Sequence, residues 1–231
     1  MDRRTTAYRD RRDGGRELAE HLLSYAERDA LVLGIPRGGL PVAAEVARRL
    51  DADLDIVVAR KLGAPDQPEL AVGAVTSNGG RFLNTDVLRA VGVSEAELES
   101  VTKREMAEAR RREQRFRDGR PPARVEGRVV LVVDDGLATG ATMRASVRAL
   151  RKKSPARLVV AVPVGSEEAC EALRAEADEV VCPWVPDFFG AVGSFYENFE
   201  PTEDDEVQDI LREYSEQRST SKKASPAPAE A

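Results

Sequence analysis

Histidine and cysteine are scarce in this sequence, which has one histidine and two cysteines among 231 residues. With His21 alone, the chain has almost no means of building a histidine-based zinc site or a histidine-dependent catalytic triad. Cys170 and Cys182 lack the spacing of metal ligands, and we interpret them as reduced interior thiols. Any chemistry must therefore depend on carboxylates, lysine, arginine, threonine and backbone groups.

Long apolar runs and an apolar leader are also missing. No run approaches the roughly 18 residues that a membrane-spanning helix requires, and the N-terminal MDRRTTAYRDRRDGG is charged, unlike a secretory signal. Hydrophobic residues make up 42% of the chain and charged residues 33%, a balance typical of a soluble globular protein. We therefore expect a cytoplasmic protein with no membrane contact.

The formal charge of −6 is unevenly distributed along the chain. Residues 200–231 hold nine acidic and four basic residues, a net charge of −5, so the rest of the chain is close to neutral at −1. From Ser215 onward the sequence has almost nothing apolar to bury. We predict one domain over residues 1–214 and a disordered tail over residues 215–231.

Short apolar runs alternate with segments of helical spacing. ALVLGI at 30–35 precedes a helical pattern at 40–50, and RVVLVV at 128–133 precedes another that begins near Ala141. This alternation predicts an α/β fold with an open, doubly wound parallel sheet. Ligands of such folds bind at the carboxyl ends of the strands, so the candidate site residues are those that follow the apolar runs.

Three further predictions concern the segments between these runs. Helical spacing predicts a first helix over 15–28, and Ser94 with Glu97 has the spacing of a capping box that opens a long helix. Residues 60–70, RKLGAPDQPEL, are rich in polar residues and proline and predict a loop. A hairpin is predicted around the turn at Asn78.

The strongest candidate site follows the strand at 128–133. Asp134 and Asp135 leave the strand, and a loop of small residues then enters a helix. Small residues let backbone N–H groups close on a phosphate, and the helix N-terminus favours the anion. A phosphate and a polyol would thus bind side by side, although an isolated Asp-Asp pair would fit a solvated turn better, and only the full pattern favours a site. The loop consists of Ala138, Thr139, Gly140, Ala141 and Thr142.

Two other segments could approach an anion. In GIPRGG, after the first predicted strand, Arg37 supplies a cation, and Gly38 and Gly39 let backbone amides come close. Arg60 and Lys61 follow the next predicted strand. The alternatives are a plain Pro-Gly turn for the first segment and a solvent-facing basic pair for the second.

Residues 129–142 resemble the phosphoribosyl-pyrophosphate motif of type I phosphoribosyltransferases: a hydrophobic strand, two acids, two further residues and Ala-Thr-Gly-Ala-Thr. GIPRGG and RKLGAP resemble segments of a stand-alone subgroup of that family, and the resemblance covers roughly residues 15–212. It implies transfer of the 5-phosphoribosyl group from phosphoribosyl pyrophosphate to a nitrogenous base, with release of pyrophosphate. It also implies Mg²⁺ as a cofactor and a homodimer.

The resemblance also implies roles for the candidate residues. Asp134 and Asp135 would bind the ribose hydroxyls, directly or through Mg²⁺, and residues 138–142 would bind the 5′-phosphate. Arg37 and Lys61 would stabilise the leaving pyrophosphate. GIPRGG is expected to have unusual backbone geometry, such as a cis non-proline peptide, and the segment after Lys61 is expected to form a mobile lid. The implied pyrophosphate-binding residues are Arg37, Gly38, Gly39, Arg60 and Lys61.

One departure from the family concerns Ala138. In six-oxopurine transferases this position is an aspartate that exchanges a proton with the base, which a methyl group cannot do. Hypoxanthine and guanine are therefore disfavoured as acceptors unless another carboxylate, such as Glu69 or Asp187, substitutes.

Aromatic residues cluster in segment 183–200, which holds six of the eleven in the chain and which we predict to form a small hood over the base. Trp184, Phe188 and Phe189 are the candidates for stacking on a flat heterocycle, since stacking stabilises by ~1–3 kcal/mol per base. The alternative is that these rings fill a hydrophobic subdomain of their own.

Two other functions fit parts of the sequence. A non-catalytic regulator that binds phosphoribosyl pyrophosphate or a nucleotide would keep the phosphate motif and explain the basic stretch 103–120, with its eight basic and four acidic residues. Interleaved charges on a helix usually form a solvated surface, so nucleic-acid binding is not the favoured interpretation. A phosphatase with Asp134 as nucleophile has little support from the loop spacing.

Overall fold

The computed structural model describes residues 6–26, 28–65 and 67–224. The strands are, in chain order, β1 (Ala30–Gly34), β2 (Asp53–Ile56), β3 (Ala59–Ala64), β4 (Gln67–Thr76), β5 (Arg81–Leu83), β6 (Val129–Val133), β7 (Arg157–Ala161) and β8 (Glu179–Val181). The helices are α1 (Arg11–Glu20), α2 (Gly39–Leu50), α3 (Thr85–Val91), α4 (Glu95–Arg117), α5 (Ala141–Arg151), α6 (Glu167–Arg174) and α7 (Asp204–Ala224).

The five-stranded parallel sheet has the order β2-β1-β6-β7-β8. Successive side chains of a strand point to opposite faces, and both faces are covered. Val32 and Leu131 pack towards α1 and α2, whereas Leu31 and Val130 pack towards α5 and α6. Burial on both faces explains why these strands are continuously apolar, and the predicted doubly wound sheet is confirmed.

A second, antiparallel sheet has the order β3-β4-β5. The hairpin predicted around Asn78 is present between β4 and β5, and Gly79 in its turn has a φ of 84°. The prediction of a loop over residues 60–70 is wrong, because β3 and β4 form a hairpin there. Leu62 and Val72 are buried against α4, and this packing outweighs the local loop signal.

The first helix, Arg11–Glu20, both begins and ends earlier than the range of 15–28 that its hydrophobic spacing predicted. Asp10 caps α1 by accepting a hydrogen bond from the Asp13 backbone N–H at 2.8 Å. Two glycines, which disfavour helices on their own, lie inside it. A Cβ on Gly15 would stand 2.8 Å from the Val42 carbonyl oxygen, so α1 and α2 approach closely through this glycine. The capping box of Ser94 with Glu97 is present at the start of α4.

The C-terminal helix α7 overturns part of the disordered-tail prediction. It extends through Ala224, so the first ten residues from Ser215 are helical, whereas residues 225–231 lie outside the described residues. Val207 and Leu211 are buried and anchor the helix against α2, α4 and β2. None of the helices in the described part of the chain combines the length and apolar character needed to cross a membrane.

Candidate active site

The predicted candidate segments meet at the carboxyl edge of two neighbouring strands. Gly34 at the end of β1 is in register with Val133 at the end of β6, and the Ile35 backbone N–H donates to the Val133 carbonyl at 2.9 Å. GIPRGG, residues 34–39, and the acid pair, Asp134 and Asp135, therefore leave the sheet side by side.

Two glycines allow GIPRGG to contact the acid pair. A Cβ on Gly38 would stand 2.0 Å from Asp135 Oδ2, and one on Gly39 would stand 2.8 Å from the Asp134 Cα. Any side chain at these positions would displace the carboxylates. The peptide bond between Pro36 and Arg37 is cis, which agrees with the unusual geometry expected for this segment.

The acid pair is partly buried. Burial raises the pKa of Asp134 well above its ordinary value, with the neighbouring Asp135 charge as the next cause, while the charges of Arg11 and Lys61 oppose the shift. Burial also raises the pKa of Asp135, against the hydrogen bond and charge of Arg11. A strongly perturbed carboxylate pair in a cleft marks a functional site, and it would accept hydrogen bonds from hydroxyl groups.

Arg11 is a site residue that the sequence did not reveal. Its Nε donates to Asp135 Oδ2 at 2.8 Å, and its Nη1 donates to the Glu200 carbonyl at 2.7 Å. Its guanidinium lies 3.8 Å from the centre of the Phe199 ring. The Tyr196 hydroxyl donates to the Asp135 backbone carbonyl.

The small-residue loop, residues 138–142, is held by hydrogen bonds from Ser166 and exposes two of its residues to solvent. The Ser166 backbone N–H donates to the Leu137 carbonyl at 2.8 Å, and the Ser166 hydroxyl donates to the Ala138 carbonyl at 2.8 Å. Gly140, with a φ of 71°, is the N-cap of α5. Ala138 and Thr139 are exposed. The first N–H groups of a helix have no partner within it, so the start of α5 offers donors to an anion.

The three predicted cationic residues differ in whether they already have a carboxylate partner. Lys61 is exposed on β3, and its charge lowers the pKa of Asp134. Arg60, by contrast, donates from Nε to Glu105 Oε2 on α4 at 2.7 Å. Arg37 lies 3.4 Å from a carboxylate oxygen of Glu203, the residue before α7, and 3.5 Å from one of Asp204, the first residue of α7. Each arginine is thus held by carboxylates of its own chain.

A cavity of about 690 Å³ adjoins the site. Pro36, Lys61 and Thr142 line it near the acid pair, and Glu105 and Arg112 of α4 line it farther away. It is large enough for a phosphorylated sugar. It opens between the β3–β4 hairpin and α4, which makes that hairpin the element that could close over a bound ligand.

The predicted base-binding aromatics are in two environments. Trp184 packs edge-on against Phe195, with ring centres 4.9 Å apart, and Phe189 stacks on Phe195 at 5.1 Å. These two rings belong to a hydrophobic cluster that also contains Tyr8 near the N-terminus and Val164 after β7. Phe188, in contrast, is 85% exposed. Trp184 and Phe189 thus pack within the protein, whereas Phe188 is the exposed ring of the three.

The basic helix α4 uses its arginines within the chain. Arg110 donates to the Ser77 carbonyl at 2.8 Å, and Arg111 and Arg112 both donate to Glu108. The hydrogen bonds from these two arginines lower the pKa of Glu108 to about 2. Arg110 therefore joins α4 to the turn after β4, whereas Arg111 and Arg112 pair within the helix itself.

Fold and site together define an α/β protein of the type I phosphoribosyltransferase class. The model of the family described as "Phosphoribosyl transferase domain" matches residues 6–200. The chain belongs to this family, which confirms the resemblance and the fold class inferred from the sequence.

Several relatives support this membership. Proteins of Mycobacterium tuberculosis strains CDC 1551 and H37Rv, whose names assign them provisionally to the phosphoribosyl transferases, are 46% identical over 202 residues, or 87% of this chain and 46% of theirs. The chain thus spans about half the length of these curated relatives. The crystal structure of TT1426 from Thermus thermophilus is 46% identical with a TM-score of 0.77, over 90% of this chain and 99% of that one. AQ2163 from Aquifex aeolicus, 12% identical with a TM-score of 0.50 over 87% of this chain and 84% of that one, shares the fold.

Proposed function

We propose that the protein transfers the 5-phosphoribosyl group from phosphoribosyl pyrophosphate to a nitrogen atom of a heterocyclic acceptor and releases pyrophosphate. One observation carries the proposal. GIPRGG packs directly on Asp134 and Asp135, and loop 138–142 follows on the same edge of the sheet. Groups suited to a diphosphate, a ribose and a 5′-phosphate are therefore adjacent and in that order.

The acid pair would hold the ribose and favour the transition state. Departure of pyrophosphate leaves positive charge at the anomeric carbon of the sugar. The carboxylates of Asp134 and Asp135 would accept hydrogen bonds from the ribose hydroxyls and stabilise that charge electrostatically, an effect that strengthens where water is excluded. Residues 138–142 and the N-terminus of α5 would anchor the 5′-phosphate.

The leaving pyrophosphate would be bound by the basic residues around the cavity. Lys61 already faces the site. Arg37 and Arg60 would exchange their carboxylate partners for the diphosphate, whose greater charge competes for the same guanidinium groups. Closure of the β3–β4 hairpin, the predicted lid, would exclude the water that otherwise hydrolyses the sugar cation.

Mg²⁺ fits the donor set of this site. Among the described residues no three His, Cys, Asp or Glu side chains come together as a metal cage, but Mg²⁺ is usually held by one or two carboxylates together with substrate phosphates. Asp134 and Asp135 would hold it, directly or through water. When bound, it neutralises charge on the diphosphate.

The acceptor would be a flat heterocycle bound near segment 183–200, with Phe188 as the exposed ring. Ala138 offers no proton donor. Glu69, exposed on β4, and Asp187, exposed beside Phe188, are the carboxylates we propose for that role. The homodimer and the cytoplasmic location stay predictions.

The proposal is tested by replacing both acids. Asp134→Asn together with Asp135→Asn should abolish pyrophosphate release from phosphoribosyl pyrophosphate, Mg²⁺ and acceptor, because the amides cannot supply the negative charge. Asp86→Asn, on the exposed start of α3, is the matched control and should keep full activity. Unchanged activity in the double variant would rule out the assignment. Ligand binding without turnover in the wild type would favour the non-catalytic regulator.

A further inference from the structure

We propose that Arg11 is a positioning residue that sets the orientation of the Asp135 carboxylate for the ribose and couples this orientation to segment 196–200. The inference rests on the proposed function, since it concerns the same ribose-binding acid pair. The observation behind it is a single guanidinium that joins α1, Asp135 and the C-terminal segment.

Arg11 is fixed on three sides. Nε donates to Asp135 Oδ2 at 2.8 Å and Nη1 donates to the Glu200 carbonyl at 2.7 Å, so the guanidinium plane is set by two directional bonds. The Phe199 ring covers it at 3.8 Å, a contact that holds a cation by the negative face of the ring. A Cβ on Gly38 would stand 3.0 Å from Arg11 Nε, which leaves the guanidinium little room on that side. The Arg11 side chain is only 12% exposed.

Arg11 is not among the residues that line the ligand cavity. It lines a separate cavity of about 200 Å³ with Pro41 and Glu200. Lys61 and Thr142 line the larger cavity on the ligand side. Arg11 is therefore placed to act through Asp135 and not to touch the substrate itself.

The contacts determine which carboxylate oxygen is available. Arg11 holds Oδ2 of Asp135, and Tyr196 holds the backbone carbonyl of the same residue. Arg11 thereby restrains the carboxylate through Oδ2, and Oδ1, which Arg11 does not contact, is the oxygen we assign to a ribose hydroxyl. Lysine cannot reproduce this arrangement, because a single ammonium lacks the planar fork that bonds in two directions and stacks on a ring.

Ribose 5-phosphate and inorganic phosphate separate the effect of Arg11 from a general loss of structure. Both contain the phosphate that loop 138–142 would bind, but only the first has the hydroxyls for Asp135. In titration calorimetry, Arg11→Ala should weaken ribose 5-phosphate binding on the order of 10–100-fold, the usual effect of losing a partner that orients a binding group. Inorganic phosphate binding should stay at the wild-type level. Millimolar guanidinium ion should restore ribose 5-phosphate binding to Arg11→Ala.

Control variants keep the test decisive. Arg12→Ala removes a neighbouring arginine that pairs with Glu45 at 3.3 Å and should bind both ligands as the wild type does. If Arg11→Ala does not fold, Arg11→Lys and Phe199→Leu replace it, and each should weaken ribose 5-phosphate binding but not phosphate binding.

Three results would overturn the inference. These are wild-type ribose 5-phosphate affinity in the Arg11 variants, equal weakening of both ligands, and absence of rescue by guanidinium. A wild-type protein that binds ribose 5-phosphate but never consumes phosphoribosyl pyrophosphate would contradict the proposed function and leave the role of Arg11 standing. A wild-type protein that does not bind ribose 5-phosphate would overturn both.

Discussion

Gly38→Ala tests the contact between GIPRGG and the acid pair with a single methyl group. The backbone of Gly38 has a φ of −61° and a ψ of −32°, which alanine adopts without strain. The methyl carbon, however, would stand 2.0 Å from Asp135 Oδ2 and 2.9 Å from its Cγ. Ordinary contact requires more than 3 Å, so the carboxylate oxygen must move by about 1 Å or more and its 2.8 Å hydrogen bond to Arg11 must lengthen or break.

The expected cost follows from these contacts. Overfilling a packed site costs about 1–3 kcal/mol. In a chain of this length each kcal/mol lowers the melting temperature by about 2–4 °C. Ribose 5-phosphate affinity should fall by about 10-fold or more, because a displaced carboxylate loses its orientation, while inorganic phosphate binding should be unchanged.

Gly190→Ala provides the matched control. Its methyl carbon would have only ordinary contact, 3.8 Å from Phe188, so the same substitution should leave ribose 5-phosphate affinity intact and the melting temperature equal or slightly higher. Calorimetry and thermal unfolding measure both quantities. Gly38→Ala with the binding and melting temperature of Gly190→Ala would refute the packing of GIPRGG on Asp135.

Three other substitutions test separate parts of the structure. Glu105→Gln should free Arg60 from its ion pair, which is worth ~0.5–1 kcal/mol for a partly exposed pair. Calorimetry should therefore show pyrophosphate binding tightened about two- to fivefold. Unchanged binding would mean that Arg60 is not a pyrophosphate ligand. Phe189→Ala should destabilise the fold by roughly 2 kcal/mol, whereas Phe188→Ala should leave stability within about 0.5 kcal/mol and raise the KM for the acceptor; the reverse pattern would contradict their environments. Burial raises the pKa of Tyr214 to about 12, so its neutral hydroxyl stabilises the fold below pH ~10 and loses this effect as the pH rises towards 12. In denaturant unfolding, the free energy of unfolding of the wild type should approach that of Tyr214→Phe across that range. A constant difference between the two free energies would argue against the raised pKa.

The parts of the site that could be predicted lie in short stretches of consecutive residues. GIPRGG and the acid pair each follow an apolar strand, and the strand ends of a parallel sheet meet at one edge. The alternation of strands and helices was therefore sufficient to bring Gly38 and Asp135 together. The start of α4 was equally predictable, because the capping box of Ser94 and Glu97 is a local interaction.

Features that depend on tertiary contacts could not be predicted from the sequence. Arg11 is 124 positions from Asp135, and no local pattern links them. The hairpin of β3 and β4 contains prolines and glycine, and only burial of Leu62 against α4 favours strands there. The tail from Ser215 looked unable to bury apolar surface, but it continues a helix whose earlier residues, such as Leu211, anchor it to the core.

The most direct test of the central claim is product analysis with the intact protein. Phosphoribosyl pyrophosphate and Mg²⁺ are incubated with the protein and a panel of purine, pyrimidine and other nitrogen heterocycles, and mass spectrometry measures pyrophosphate and any new nucleotide. We expect one class of acceptor to yield both products in equal amounts, and we expect neither product from Asp134→Asn with Asp135→Asn. Failure of the wild-type protein to form a nucleotide from any acceptor, despite binding phosphoribosyl pyrophosphate, would contradict the account.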